Sequence, residues 1–140
     1  MKNMLVKICL RLAISTAFLS AVADRFGLWP SEVSVWGNWN NFINYTQIIN
    51  PWFPESVINS VGVIATAAEL LFAMCLIIGF KTEWVAKLSG LLLLVFGLSM
   101  TFSTGIKGAL DFSVFTASAA AFALSLIKEK HWKLDNLLEK

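Results

Sequence analysis

Charge is what this sequence has least of. Charged residues make up 14% of its 140 positions, apolar residues make up 57%, and mean hydropathy is +0.70. Soluble globular chains run at about 25% charged and about 45–50% apolar, so both departures favour lipid as the solvent. The few charges nearly cancel, leaving a net charge of +2. With no cluster of Lys and Arg on a soluble face, a nucleic-acid partner is excluded. Histidine is almost absent: His131 stands beside Trp132 in a charged stretch and reads as a solvated surface residue. Cys9 and Cys75 lie far apart inside apolar segments, with no CxxC pair and no adjacent histidine. That pattern excludes a disulfide framework and a thiol redox motif, and no metal ligand set is expected. Both thiols are expected to be small buried packing residues, and they could be neighbours.

What is present is apolar sequence in long runs. A helix needs about 20 mostly apolar residues to cross a hydrocarbon core of about 30 Å. Four segments qualify, at about 4–23, 57–80, 84–102 and 110–127. The expected fold is all-α: a polytopic membrane protein forming a four-transmembrane-helix antiparallel bundle, one domain over residues 1–140, with an aromatic-rich external loop. The first segment has some marks of a secretion signal, with lysines at its start and Ala21-Val22-Ala23 near its end. Arg11 interrupts what would be a charge-free core, so the span is expected to be retained.

Orientation follows from where Lys and Arg fall in short connections, because cytoplasmic segments carry the excess. Lys2 and Lys7 precede the first span, Lys81 and Lys87 flank the turn between the second and third, and Lys128, Lys130, Lys133 and Lys140 follow the fourth. Only Arg25 and Lys107 fall on the other side. Both termini are therefore expected in the cytoplasm, in a bacterial inner membrane, with segment 24–56 outside. That segment mixes Trp29, Trp36, Trp39, Phe42, Tyr45, Trp52 and Phe53 with several asparagines. Such a composition suits the mouth of a bundle or the headgroup layer, and a short helix is expected before Pro51 and Pro54. Residues 128–140 read as a short amphipathic tail on the inner surface.

Polar groups at membrane depth are costly and usually face the bundle interior, so they are the first candidates for a site. Glu69 lies near the middle of the second span, about 15 Å from either end at helical rise. Steps of three and four from it reach Gly62, Ala65, Thr66 and Ala73, a small-residue face that must point inward. Its expected partner is Arg11 on the first span. A register-fixing ion pair and a role in proton or ligand binding are both open readings. A second cluster is expected at the outer end: Asp24 and Arg25 closing the first span, and Lys107 with Asp111 at the turn into the fourth. Gly105 and Gly108 argue against continuous helix there, and Asp111 is expected in the first turn of span four. Ser113, Thr116, Ala117 and Ala120 form a small-residue stripe expected to pack tightly.

Taken in order, these features resemble the DoxX family of small four-helix bacterial membrane proteins. The resemblance rests on Arg11, on Asp24-Arg25-Phe26-Gly27, and on Ala68-Glu69-Leu70-Leu71 followed by Gly79 and Thr82. Lys107 with Leu110-Asp111-Phe112-Ser113-Val114-Phe115 completes it. It implies a subunit or anchor in a membrane oxidoreductase assembly, such as a thiosulfate:quinone oxidoreductase, with a partner protein or a second copy of the chain and a quinone as cofactor. The sequence itself shows no catalytic motif, no haem-ligand histidine within a span and no nucleotide motif, so electron transfer would pass through a partner or bound cofactor. The competing expectation is a small proton-coupled carrier that uses Glu69.

Overall fold

A computed structural model describes residues 2–128, all of them helical or in short connections, with no strand among the described residues. Six helices follow in order: α1 (Lys2–Arg25), α2 (Trp39–Ile49), α3 (Glu55–Ile78), α4 (Thr82–Thr104), α5 (Ile106–Asp111) and α6 (Val114–Leu126). Three of them, α1, α3 and α4, are long and apolar enough to cross a bilayer, which marks the chain as a helical membrane protein. Residues 129–140, which include His131 and nearly all of the expected amphipathic tail, lie outside the described residues.

The expected fourth span is not one continuous helix. Gly105, at φ 96°, ends α4, and Ser113, at φ 55°, separates α5 from α6. At 13 residues, α6 extends about 20 Å, short of the bilayer core of about 30 Å. Ser113 is the N-cap residue of α6, in a left-handed conformation and without a capping bond from its side chain. Asp111 therefore closes α5 rather than opening α6. Gly105 does break the chain as expected, whereas Gly108 sits inside α5.

Turn chemistry explains the other connections. After α3, Gly79 adopts a left-handed conformation (φ 74°) and the Phe80 N–H bonds to the Cys75 carbonyl at 2.9 Å, a closure that satisfies a terminal carbonyl and reverses the chain into α4. After α1, Gly27 is left-handed (φ 69°) and so close to the next loop that a Cβ there would stand 2.9 Å from the Gly37 carbonyl. The helix expected before Pro51 is α2, started by Asn38, whose side chain accepts from the Asn41 N–H at 2.9 Å.

Helices α1 and α3 pack as one close pair, and α4 and α6 as another. In the second pair glycines receive rings: Gly90 lies against Phe122 and Gly97 against Phe115, while Ser118 Oγ donates to the Gly90 carbonyl at 2.7 Å. The two pairs meet in a core built from all four helices, including Ile14 and Phe18 of α1, Ala73 and Leu76 of α3, Val85 and Ala86 of α4, and Ala121 and Leu124 of α6. The stripe expected to pack α6 does not do so. Its buried residues are Ser118, Ala121, Leu124 and Ser125, and Ser113 and Thr116 are exposed while Ala117 and Ala120 are half-buried. Nor is Cys9 a buried packing residue: it is exposed, and Cys75 is half-buried against the core, both as free thiols.

Candidate functional site

The small-residue face of α3 is buried as expected, through Ile58, Gly62, Thr66, Glu69, Ala73 and Leu76. The cation that meets it is Arg25, not Arg11. Arg25 Nη1 lies 2.6 Å from Glu69 Oε2, and Nη2 donates to Oε1 at 2.9 Å, with both side chains only 3% exposed. Arg25 Nη1 also donates to Thr66 Oγ1 at 2.6 Å. Side chains on a helix lean toward its N-terminus. In an antiparallel pair, Arg25 and Glu69 therefore lean toward one another. Arg11 leans in the same direction along α1 from a level beyond Glu69, and so away from it, and donates to the carbonyls of Leu76 (2.7 Å) and Ile77 (2.8 Å) at the end of α3. The cation complements the negative end of that helix dipole.

The remaining face of the guanidinium is covered by aromatic rings. Its carbon stands 4.0 Å from the Phe42 centroid and 5.4 Å from that of Trp36, which itself meets Phe42 edge-on and Tyr45 at a tilt. Cation–π contacts of this kind gain strength where water is excluded. Gly62 makes the approach of α2 possible, because a Cβ there would fall 2.5 Å from the Ile43 side chain.

Asp24, next to Arg25, does a separate job. Its carboxylate accepts from Ser34 Oγ and from the N–H groups of Val35 (2.9 Å) and Trp36 (3.0 Å), folding the loop back over the end of α1. At the other end of α2, Asn50 Nδ2 donates to the Thr46 carbonyl at 2.9 Å and its Oδ1 accepts from Ser99 Oγ at 3.1 Å. Trp39 Nε1 adds a bond to Asn59 Oδ1 at 3.0 Å. The connection 26–54 is thus fastened to α1, α3 and α4.

Beneath this cover lies a cavity of about 800 Å³. Phe18, Leu92 and Leu93 form its inner end where it meets the core, and Phe42, Tyr45 and Ile49 of α2 form its cover. The walls are predominantly aliphatic and aromatic, and the polar groups among them include Asp24, Arg25, Glu69, Asn50, Thr46, Ser99, Ser20, Tyr45 and Trp36. Burial pushes the Tyr45 phenol above its ordinary value.

Of the six residues expected to form a site, Asp24, Arg25 and Glu69 come together at the cavity, and three do not. Arg11 is a helix-end clamp. Lys107 and Asp111 bond to each other within α5 at 2.5 Å, with side chains 86% and 58% exposed, and they do not line the cavity. The outer polar cluster is therefore two separate features. Trp36, Phe42, Asn50 and Ser99 were not singled out as site residues; the aromatic enrichment of the loop was the only sequence signal pointing to any of them. Among the described residues no group of three or more His, Cys, Asp or Glu could hold a metal ion. No protein-family model, curated protein or solved structure matches the chain.

Proposed function

We propose that this chain is a DoxX-like integral membrane subunit or anchor that binds an uncharged, lipid-soluble molecule of the quinone class within its bundle and works in a membrane oxidoreductase assembly with a partner protein. The single observation that carries this reading is the cavity, which has apolar walls, a self-neutralised ion pair and a fastened aromatic cover. A cavity of this kind takes an apolar molecule with a small polar head, since convergent polar groups in an apolar pocket set orientation. The residues fit a quinone: Phe42, Trp36 and Tyr45 offer flat faces, the second N–H of Asn50 and the Tyr45 hydroxyl can donate to ring oxygens, and the aliphatic walls suit a tail. A bound quinone would supply the two-electron chemistry, and the chain's own residues would hold it and keep water away. In the same reading α6 serves as a short fourth span, both termini face the cytoplasm, and the aromatic cover faces outward from a bacterial inner membrane.

The competing reading, a proton-coupled carrier acting through Glu69, has less support from the geometry, because the carboxylate is ion-paired with a buried guanidinium that also bonds to its Oε1. Flux in reconstituted vesicles that is abolished by Glu69→Gln in a folded protein would favour it. The deciding experiment for the main reading is purification in mild detergent, followed by identification of what stays bound. A co-purifying redox protein together with a lipid-soluble molecule, the latter lost in Trp36→Ala/Tyr45→Ala, is the expected result. A partnerless bundle with an empty cavity would overturn it.

A further inference from the structure

We infer that the cavity is filled from the side, by a molecule already dissolved in the bilayer that enters through the seam between α1 and α6. This rests on the cavity being a binding site and adds the route and the physical class of its ligand. The water side is covered by the fastened connection, which is tied down at Asp24, Asn59 and Ser99 and contributes the exposed cavity residues Trp29, Val33 and Val35. The opposite end of the bundle is zipped together, beside a separate space lined by Asn3, Val6, Leu126 and Ile127. There Lys7 Nζ donates to the Ile127 carbonyl at 2.6 Å, joining α1 to α6, and Ile14 and Phe18 pack with Ala121 and Leu124 in the core.

Between those two ends the seam is lined by small residues. Helices α1 and α6 run antiparallel, joined at the Lys7–Ile127 bond, so Ala17 lies toward the same end of the bundle as Ala117. Both line the cavity; Ala17 is exposed and Ala117 half-buried. Ser20, one turn further along α1, also lines the cavity and is exposed, and its carbonyl accepts from Trp29 Nε1 at 3.2 Å. Two facing helices with alanine and serine at their contact would ordinarily close together, as small residues do in membrane bundles. Here they pack sparsely, and the small residues border a gap. The opposite seam, between α3 and α4, is also bordered by cavity residues, but apart from Ala65 these are the bulkier Val61, Ile64, Val95 and Phe96, of which Ile64 and Val95 are exposed. A gap bordered by methyl groups and leading past no unpaired charge admits an uncharged amphiphile from lipid. It offers nothing to a hydrated ion or polar solute, whose desolvation would go uncompensated.

The test uses decylbenzoquinone added to phosphatidylcholine vesicles that contain the full chain, with binding followed as saturable quenching of tryptophan fluorescence. The expected result is that Ala17→Trp and Ala117→Phe each slow association by about tenfold or more, an effect on the approach to the site that shows in the on-rate. Leu12→Trp on the outer face of α1 and Leu91→Trp on the outer face of α4, neither of which lines the cavity, should leave the rate unchanged, and Val95→Trp at the opposite seam should slow it less than Ala17→Trp. Thermal melting in detergent identifies any variant that has lost its fold, and Ala17→Phe replaces one that has. If the wild-type chain does not bind the probe, the proposed function and this inference both fail. Binding that proceeds equally fast in wild type, Ala17→Trp and Ala117→Phe would overturn the seam alone, as would slowing confined to Val95→Trp.

Discussion

The two ends of the bundle treat buried cations differently. At the zipped end α1 sets Lys7 and Arg11 against backbone carbonyls at the finishing ends of α6 and α3. At the covered end it sets Arg25 against a carboxylate, a hydroxyl and two aromatic rings, and Asp24 against loop N–H groups. Carbonyls at a helix terminus are fixed by the fold and need only a partner, so the first arrangement clamps helices together. A side-chain pair requires its helices to accommodate two bulky groups and the loop above them, and the cavity lies at that end.

The largest test of this contrast is Arg25→Leu. It leaves Glu69 buried without its cation and should lower unfolding free energy in detergent by about 3–5 kcal/mol. The double variant Arg25→Leu/Glu69→Leu should recover most of that loss. Equal losses in the single and double variants would mean that the pair is not the organising contact at the covered end. Arg11→Leu should cost less, about 2–3 kcal/mol, for two charge-assisted bonds to α3 carbonyls, and should leave decylbenzoquinone binding intact. Reduced binding there would break the division of labour between the ends. Asp24→Asn comes next, at about 1–2 kcal/mol for weakened bonds to the loop. Its clearest sign should be faster amide exchange at Val35 and Trp36, with α3 unaffected. Smallest of all is Lys107→Ala, below about 1 kcal/mol because an exposed i,i+4 pair contributes little. A larger shift in its melting temperature would show that α5 is tied to the covered end after all.

Much of the covered end could be read from residue order. Glu69 had to face inward because it shares a stripe with Gly62, Thr66 and Ala73, and the aromatic run from Trp29 to Phe53 had to lie against something apolar. The helix before Pro51 followed from the breaking power of proline. Less legible was the fourth span: hydropathy over 110–127 is continuous, but a left-handed Ser113 divides it, and a hydropathy average is blind to a single backbone dihedral. The stripe through Ala117 and Ala120 also misled. Small residues permit close packing, but they equally leave a gap when the facing helix is held away.

By itself the sequence determined the solvent, the long apolar helices, and the inward burial of a carboxylate, because each depends on composition or on a local period of 3.6 residues. It also held two arginines on one helix, either of which has the reach to meet that carboxylate. Only the tertiary structure decided between Arg11 and Arg25, and with that choice placed the cavity at the covered end. The axial offset between α1 and α3 is set by packing along their whole contact, and combined with the lean of each side chain toward its own N-terminus it turns Arg25 toward Glu69 and Arg11 away.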